Sequence, residues 1–94
     1  MTIAERIDTK LRDAFQPERL EIHDDSHKHH GHAGWRPGGE THFRITVVAE
    51  SFGDLGRVAR QRRIYEVLAD ELAERVHALQ ITAKTPAEAT RHAG

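Results

Sequence analysis

The segment His23-Asp24-Asp25-Ser26-His27-Lys28-His29-His30-Gly31-His32 places five histidines in ten positions of a chain that has no cysteine. Imidazole is a good ligand for zinc, copper, nickel and iron. Histidines drawn from positions 27, 29, 30 and 32 could therefore hold a divalent ion by themselves, or form a solvated loop with incidental metal affinity. Two other histidines sit in different company, His42 in Gly39-Glu40-Thr41-His42-Phe43 and His77 in Val76-His77-Ala78-Leu79. By itself, a histidine at the head of a strand and beside apolar residues is more often structural than a ligand. A second chemical feature is the set Arg57, Arg60, Arg62 and Arg63. Such guanidiniums can neutralise phosphates or grip carboxylates on a partner. Ser26 lies near Asp24, Asp25 and several histidines, but neighbours along one loop do not make a triad. Nothing supplies an oxyanion hole, so no enzyme is expected.

Composition narrows the chemistry further. Without cysteine there is no disulfide scaffold, no thiolate zinc site and no self-contained iron–sulfur site. The formal net charge is −1, with 31% charged and 37% hydrophobic residues. No global field attracts nucleic acid or an anionic membrane, although eight histidines would turn the chain positive in mild acid. No apolar run approaches the ~20 residues of a membrane span and none resembles a signal peptide. A soluble, cytoplasmic protein without a membrane partner is the expectation, and 94 residues leave room for a single domain.

The elements that must position these residues follow from periodicity. Thr2 and Glu5 form a capping box, and Ile3, Ile7, Leu11 and Phe15 then recur along one helical stripe until Pro17 stops it. Leu20-Glu21-Ile22 reads as a short strand that ends at Asp24-Asp25-Ser26. Residues 25–40 form a flexible histidine- and glycine-rich loop, longer than a neutral connection usually is. Thr41 to Glu50 alternates, with Phe43, Ile45, Val47 and Ala49 on one face, as a strand covered on one side does. Ser51–Gly56 supplies a turn. One helix is predicted from Arg57 to about Arg75, with Val58, Ile64 or Tyr65, Leu68 and Leu72 inward. Its outer face carries Arg57, Arg60, Arg62 and Arg63 early and Glu66, Asp70, Glu71 and Glu74 late, against the helix dipole. Val76 to Thr85 reads as a third strand closed by Pro86, and residues 87–94 as a frayed tail. The order is α-β-β-α-β in residues 1–86: an α+β domain with two helices on one face of a three-stranded sheet.

Asp25-Ser26-x-x-His29, Gly39-Glu40-Thr41-His42-Phe43, Arg60-x-Arg62 and Val76-His77-Ala78-Leu79 resemble, in order and spacing, the BolA-like proteins. The likeness runs from about Ile3 to Glu88. It implies a type II KH-like fold with a mixed sheet, and a non-catalytic adaptor that shares a bridging [2Fe–2S] cluster with a monothiol glutaredoxin and glutathione. The implied ligands are His77 and, in the histidine-loop type, His29, with His27, His30 and His32 as loop alternates. His42 is implied as structure or ligand support. Two imidazoles in place of two thiolates would raise the cluster's reduction potential and make ligation sensitive to protons. Some relatives act as transcriptional regulators, so the alternative expectation is duplex DNA bound by the surface Arg57, Arg60, Arg62 and Arg63. Gly53-Asp54-Leu55-Gly56 fits a KH-type GxxG pattern, but its aspartate would repel phosphate and it reads as a turn. Where the family commonly has Arg-His-Arg, this chain has Arg60-Gln61-Arg62, which puts any role for a histidine at position 61 in doubt. The apo form is expected to be a monomer.

Overall fold

A computed structural model describes residues 1–29 and 39–92, with the side chains of Lys28, His29 and His92 outside that description. The loop alternates His30 and His32, and most of the 25–40 loop, therefore lie outside the described residues. Helix α1 spans Ile3–Phe15, and the Thr2–Glu5 capping box forms in both directions. Its stripe of Ile3, Ile7, Leu11 and Phe15 is buried. Full burial of a side chain such as Ile7 or Leu11 is worth about 1.5–3 kcal/mol, which is how a thirteen-residue helix outweighs its marginal intrinsic stability. The helix ends at Gln16, whose φ of 47° turns the chain ahead of Pro17.

Strands β1 (Arg19–Asp24), β2 (His42–Val48) and β3 (Ala78–Lys84) make one sheet in the order β1-β2-β3. β1 runs antiparallel to β2, while β3 runs parallel to it, so the sheet is mixed. Phe43, Ile45, Val47 and Ala49 are buried, as their alternation predicts, and join the α1 stripe, Phe52, Ile64, Leu68 and Val76 in one core. Phe52 comes from a short 3-10 turn, Glu50–Phe52, and packs its ring 4.9 Å from that of Phe15. The alternation predicts a strand as far as Glu50 and a turn from Ser51; the strand instead ends at Val48 and Glu50 opens the 3-10 turn.

The predicted helix from Arg57 to Arg75 is two helices, α2 (Arg57–Val67) and α3 (Ala69–Glu74), separated at Leu68. The break has an electrostatic logic. It places Asp70 and Glu71 in the first turn of α3, where the helix dipole favours acidic groups. It also turns Glu71 fully inward, where Arg6 and Lys10 of α1 hold its carboxylate at 2.8 and 2.9 Å. Burial pushes the Glu71 carboxyl up, but the hydrogen bond from Lys10 and the adjacent cations outweigh it and leave it below its ordinary value. Of the residues predicted to face inward, Ile64 and Leu68 do, whereas Val58 and Tyr65 are exposed.

The chain does not fray after Pro86. Helix α4 spans Pro86–His92, with proline at the first helical position, where its missing N–H is harmless. Thr85 and Glu88 cap it reciprocally: the Thr85 amide donates to Glu88 Oε1 and the Glu88 amide to Thr85 Oγ1. Only residues 93–94 of the expected tail lie outside the described residues.

Candidate functional site

The sheet topology gathers chemistry at one end. The antiparallel pairing brings the end of β1, Asp24, beside Phe43, near the start of β2. The parallel pairing sets His42, the first residue of β2, opposite Ala78, the first of β3. The turn Ser26–His29 leaves β1 at this end and packs against β2. His77 immediately precedes β3, so the exposed His77 and the start of the histidine loop occupy the same end of the sheet.

Asp24 closes the base of the loop. One carboxylate oxygen accepts the amide and the hydroxyl of Ser26, and the other accepts the Glu40 amide at 2.9 Å, sixteen residues later. Partial burial works to raise the Asp24 carboxyl, but the Ser26 hydroxyl and the Ser26 and Glu40 amides outweigh it and hold it below its ordinary value. Gly39 makes this approach possible. Its φ is +74°, and a Cβ there would stand 3.1 Å from Asp24 Oδ2, a conformation and clearance that favour glycine. The Gly39 carbonyl accepts from Arg75 Nε at 2.8 Å, which ties the far side of the loop base to the residue after α3.

Beneath this staple lies a buried polar chain. Thr41 is fully buried and His42 is 5% exposed. The Ser26 oxygen accepts the Thr41 amide at 2.9 Å and the His42 amide at 3.2 Å. Thr41 Oγ1 lies 2.8 Å from His42 Nδ1. The Thr41 carbonyl accepts the amides of both His77 and Ala78, at 2.8 and 3.1 Å. The His42 and His77 rings then meet, with centroids 5.5 Å apart and planes tilted by 49°. A buried imidazole thus underlies an exposed one. His42 points away from the apolar set, as its register predicts, yet it is not solvated.

His77 is accessible, and His27 is exposed on the turn that starts the loop. The backbone of His29 belongs to that turn, while its side chain lies outside the described residues. Among the described residues no group of three or more histidine, aspartate or glutamate side chains is arranged to hold a metal ion. His77 is an available imidazole on a fixed backbone, and the chain has no thiol to add to it. By itself this one imidazole does not make a metal site, and any metal held there would need further ligands.

The arginine surface is reshaped. Arg57, Arg62 and Arg63 are exposed, but Arg60 is buried. Arg60 donates to the carbonyls of Leu55 and Ala83 and forms a two-armed pair with Glu88, at 2.6 and 3.2 Å. Its hydrogen bonds, with those from Thr85, hold the Glu88 carboxyl down at about 2. Arg60 therefore fastens α2 to β3 and α4 and does not belong to a phosphate-facing patch. Helical spacing alone concealed this, because Glu88 lies in the segment read as tail. The Thr85-Pro86-x-Glu88 cap was the signal that could have revealed it. In the sequence, Asp24 and Thr41 likewise read only as a strand end and a strand start. Among the described residues no helix is long and apolar enough to cross a membrane.

Known proteins resemble this chain over most of its length. A family model described as BolA-like protein matches residues 11–88. The chain is 50% identical over 82 residues to BolA-like protein 1 of Pongo abelii, covering 87% of this chain and 57% of that relative. It is 44% identical to the DNA-binding transcriptional regulator BolA of Vibrio cholerae, over 92% of this chain and 77% of the relative. The solved BolA domain of SufE1 from Arabidopsis thaliana superposes with a TM-score of 0.84 at 43% identity, covering 94% of this chain and 96% of that one. The chain thus spans little more than half of the Pongo relative's length.

Proposed function

The chain belongs to the BolA-like protein family, whose members are non-enzymatic regulators or adaptors, and from that premise we propose that it co-ligates a bridging [2Fe–2S] cluster with a monothiol glutaredoxin and glutathione. The observation that supports this most is the pairing of exposed His77 with buried His42 at the sheet end from which the histidine loop departs. A [2Fe–2S] cluster takes four ligands, usually thiolates; a chain without cysteine has imidazoles and carboxylates instead, and of these the imidazole is the donor known to replace thiolate in such clusters. His77 and a loop histidine, His29 by its register after Ser26, supply half of the set; the glutaredoxin cysteine and the glutathione thiol supply the rest. When bound, the cluster would supply one-electron redox capacity or serve as cargo in iron–sulfur trafficking.

This chain's residues have two tasks in that reading. The Asp24–Ser26–Thr41 chain fixes the base of the loop and the head of β3, so that the two imidazole sources start from one rigid end. Such a supporting shell normally orients metal-binding histidines. The test is to mix the protein with a monothiol glutaredoxin and glutathione and reconstitute with iron and sulfide. A mixed heterodimer with a visible spectrum distinct from that of the glutaredoxin homodimer is the expected result. If only the homodimer spectrum forms, the proposal fails.

A second reading is DNA binding, which the description of the Vibrio cholerae relative and the exposure of Arg57, Arg62 and Arg63 favour. It requires that affinity for duplex DNA fall with salt, as counterion release demands. It also requires that Arg57→Ala combined with Arg62→Ala weaken binding; binding without a salt slope would argue against it.

A further inference from the structure

We propose that Thr41 is the positioning residue for His77, acting through the His42 ring, with Ser26 and Asp24 aiming it. Hydrogen-bond accounting leads there. The Ser26 hydroxyl gives its one proton to Asp24, and its two lone pairs face the amides of Thr41 and His42. A hydroxyl has no further acceptor capacity. The 3.2 Å approach of Thr41 Oγ1 to the same oxygen therefore competes with two backbone donors that cannot rotate away. The Thr41 hydroxyl proton goes instead to His42 Nδ1, 2.8 Å away. A neutral imidazole whose Nδ1 accepts must carry its proton on Nε2. Thr41 thus donates to one nitrogen of a ring that is 5% exposed and favours the tautomer protonated at Nε2, and His77 rests against that ring. The Thr41 carbonyl holds the His77 amide at 2.8 Å. One buried residue sets both the backbone of the exposed histidine and the surface beneath its side chain.

This inference rests on the proposed function only in treating His77 as a ligand; the positioning itself can be measured on the apo protein. Thr41→Val keeps the shape and the backbone bonds of the residue and removes the hydroxyl, whereas Thr41→Ser restores it. With ¹⁵N-histidine labelling in mildly alkaline buffer, wild type and Thr41→Ser should show His42 with an unprotonated Nδ1 and a protonated Nε2. Thr41→Val should populate the other tautomer and shift the His77 ring signals, leaving those of His23 in place. Overturning results are an Nδ1-protonated His42 in wild type, unmoved His42 and His77 signals in Thr41→Val, or no recovery in Thr41→Ser. The wild-type tautomer decides the matter even if Thr41→Val does not fold. Failure of wild type to form a mixed cluster would sink the proposed function and leave these ring measurements standing.

Discussion

The two ends of this sheet each carry a buried basic side chain, and they use it differently. Where β2 and β3 begin, the Thr41 hydroxyl meets buried His42 at Nδ1, and an exposed histidine, His77, rests on that ring. Where β3 ends, buried Arg60 is consumed by two carbonyls and the Glu88 carboxylate, and its charge is not offered to solvent. The first arrangement fixes a ring and leaves its neighbour available to a ligand. The second fixes a helix, α4, and leaves little for a partner. A basic residue in a suggestive motif is a functional candidate only when its hydrogen-bonding capacity is not already spent inside the fold.

The sharpest way to break this comparison is at the arginine end. Arg60→Ala should cost about 2–4 kcal/mol, because it removes the partner of the Leu55 and Ala83 carbonyls and of the Glu88 carboxylate together with the packed stem of the side chain. Urea denaturation would show it, and a neutral result would return Arg60 to the exposed surface. At the histidine end, Ser26→Ala removes the acceptor shared by two buried amides and should cost about 1–3 kcal/mol. Faster hydrogen exchange at the Thr41 and His42 amides should accompany that loss.

Acid distinguishes the ends more gently. The Glu88 carboxyl is lowered from 4.5 to about 2 by Arg60 and Thr85. A carboxyl lowered in the folded state adds stability that is complete above its unfolded value and is lost as pH falls through its folded value. The stability gap between wild type and Glu88→Gln should therefore be widest at neutral pH and close between about pH 4.5 and about 2. Urea melts at a series of pH values would test this, and a pH-independent gap would contradict it. Smallest of all, Arg62→Ala should change stability by no more than about 0.5 kcal/mol, as for other solvated surface positions.

Much of the fold was legible because local signals agreed with one another. The Thr2–Glu5 cap, the four-residue stripe to Phe15, the alternation through β2 and the closing of β3 at Pro86 each follow from a short window. What escaped depends on partners distant in sequence. Arg60 looks solvent-facing until Glu88 is brought beside it, and Glu71 looks solvent-facing until Arg6 and Lys10 are. The break at Leu68 carries no glycine or proline to mark it. For the site, the registers of His29, His42 and His77 can be read, but not the tilted contact of the His42 ring with that of His77. That contact arises from the parallel β2–β3 pairing, which no periodicity encodes. The loop staple on Asp24 needed Gly39's positive φ and a contact across fifteen residues of loop.

Reconstitution with a substituted His77 tests the proposed ligand most directly. Wild type, His77→Ala and, as a control at another exposed imidazole, His23→Ala should each be reconstituted with iron, sulfide, glutathione and a monothiol glutaredoxin, and their visible absorption and circular dichroism spectra compared. The prediction is a mixed-cluster spectrum for wild type and His23→Ala, and reversion to the glutaredoxin homodimer spectrum for His77→Ala. A mixed-cluster spectrum left unchanged by His77→Ala would contradict the claim.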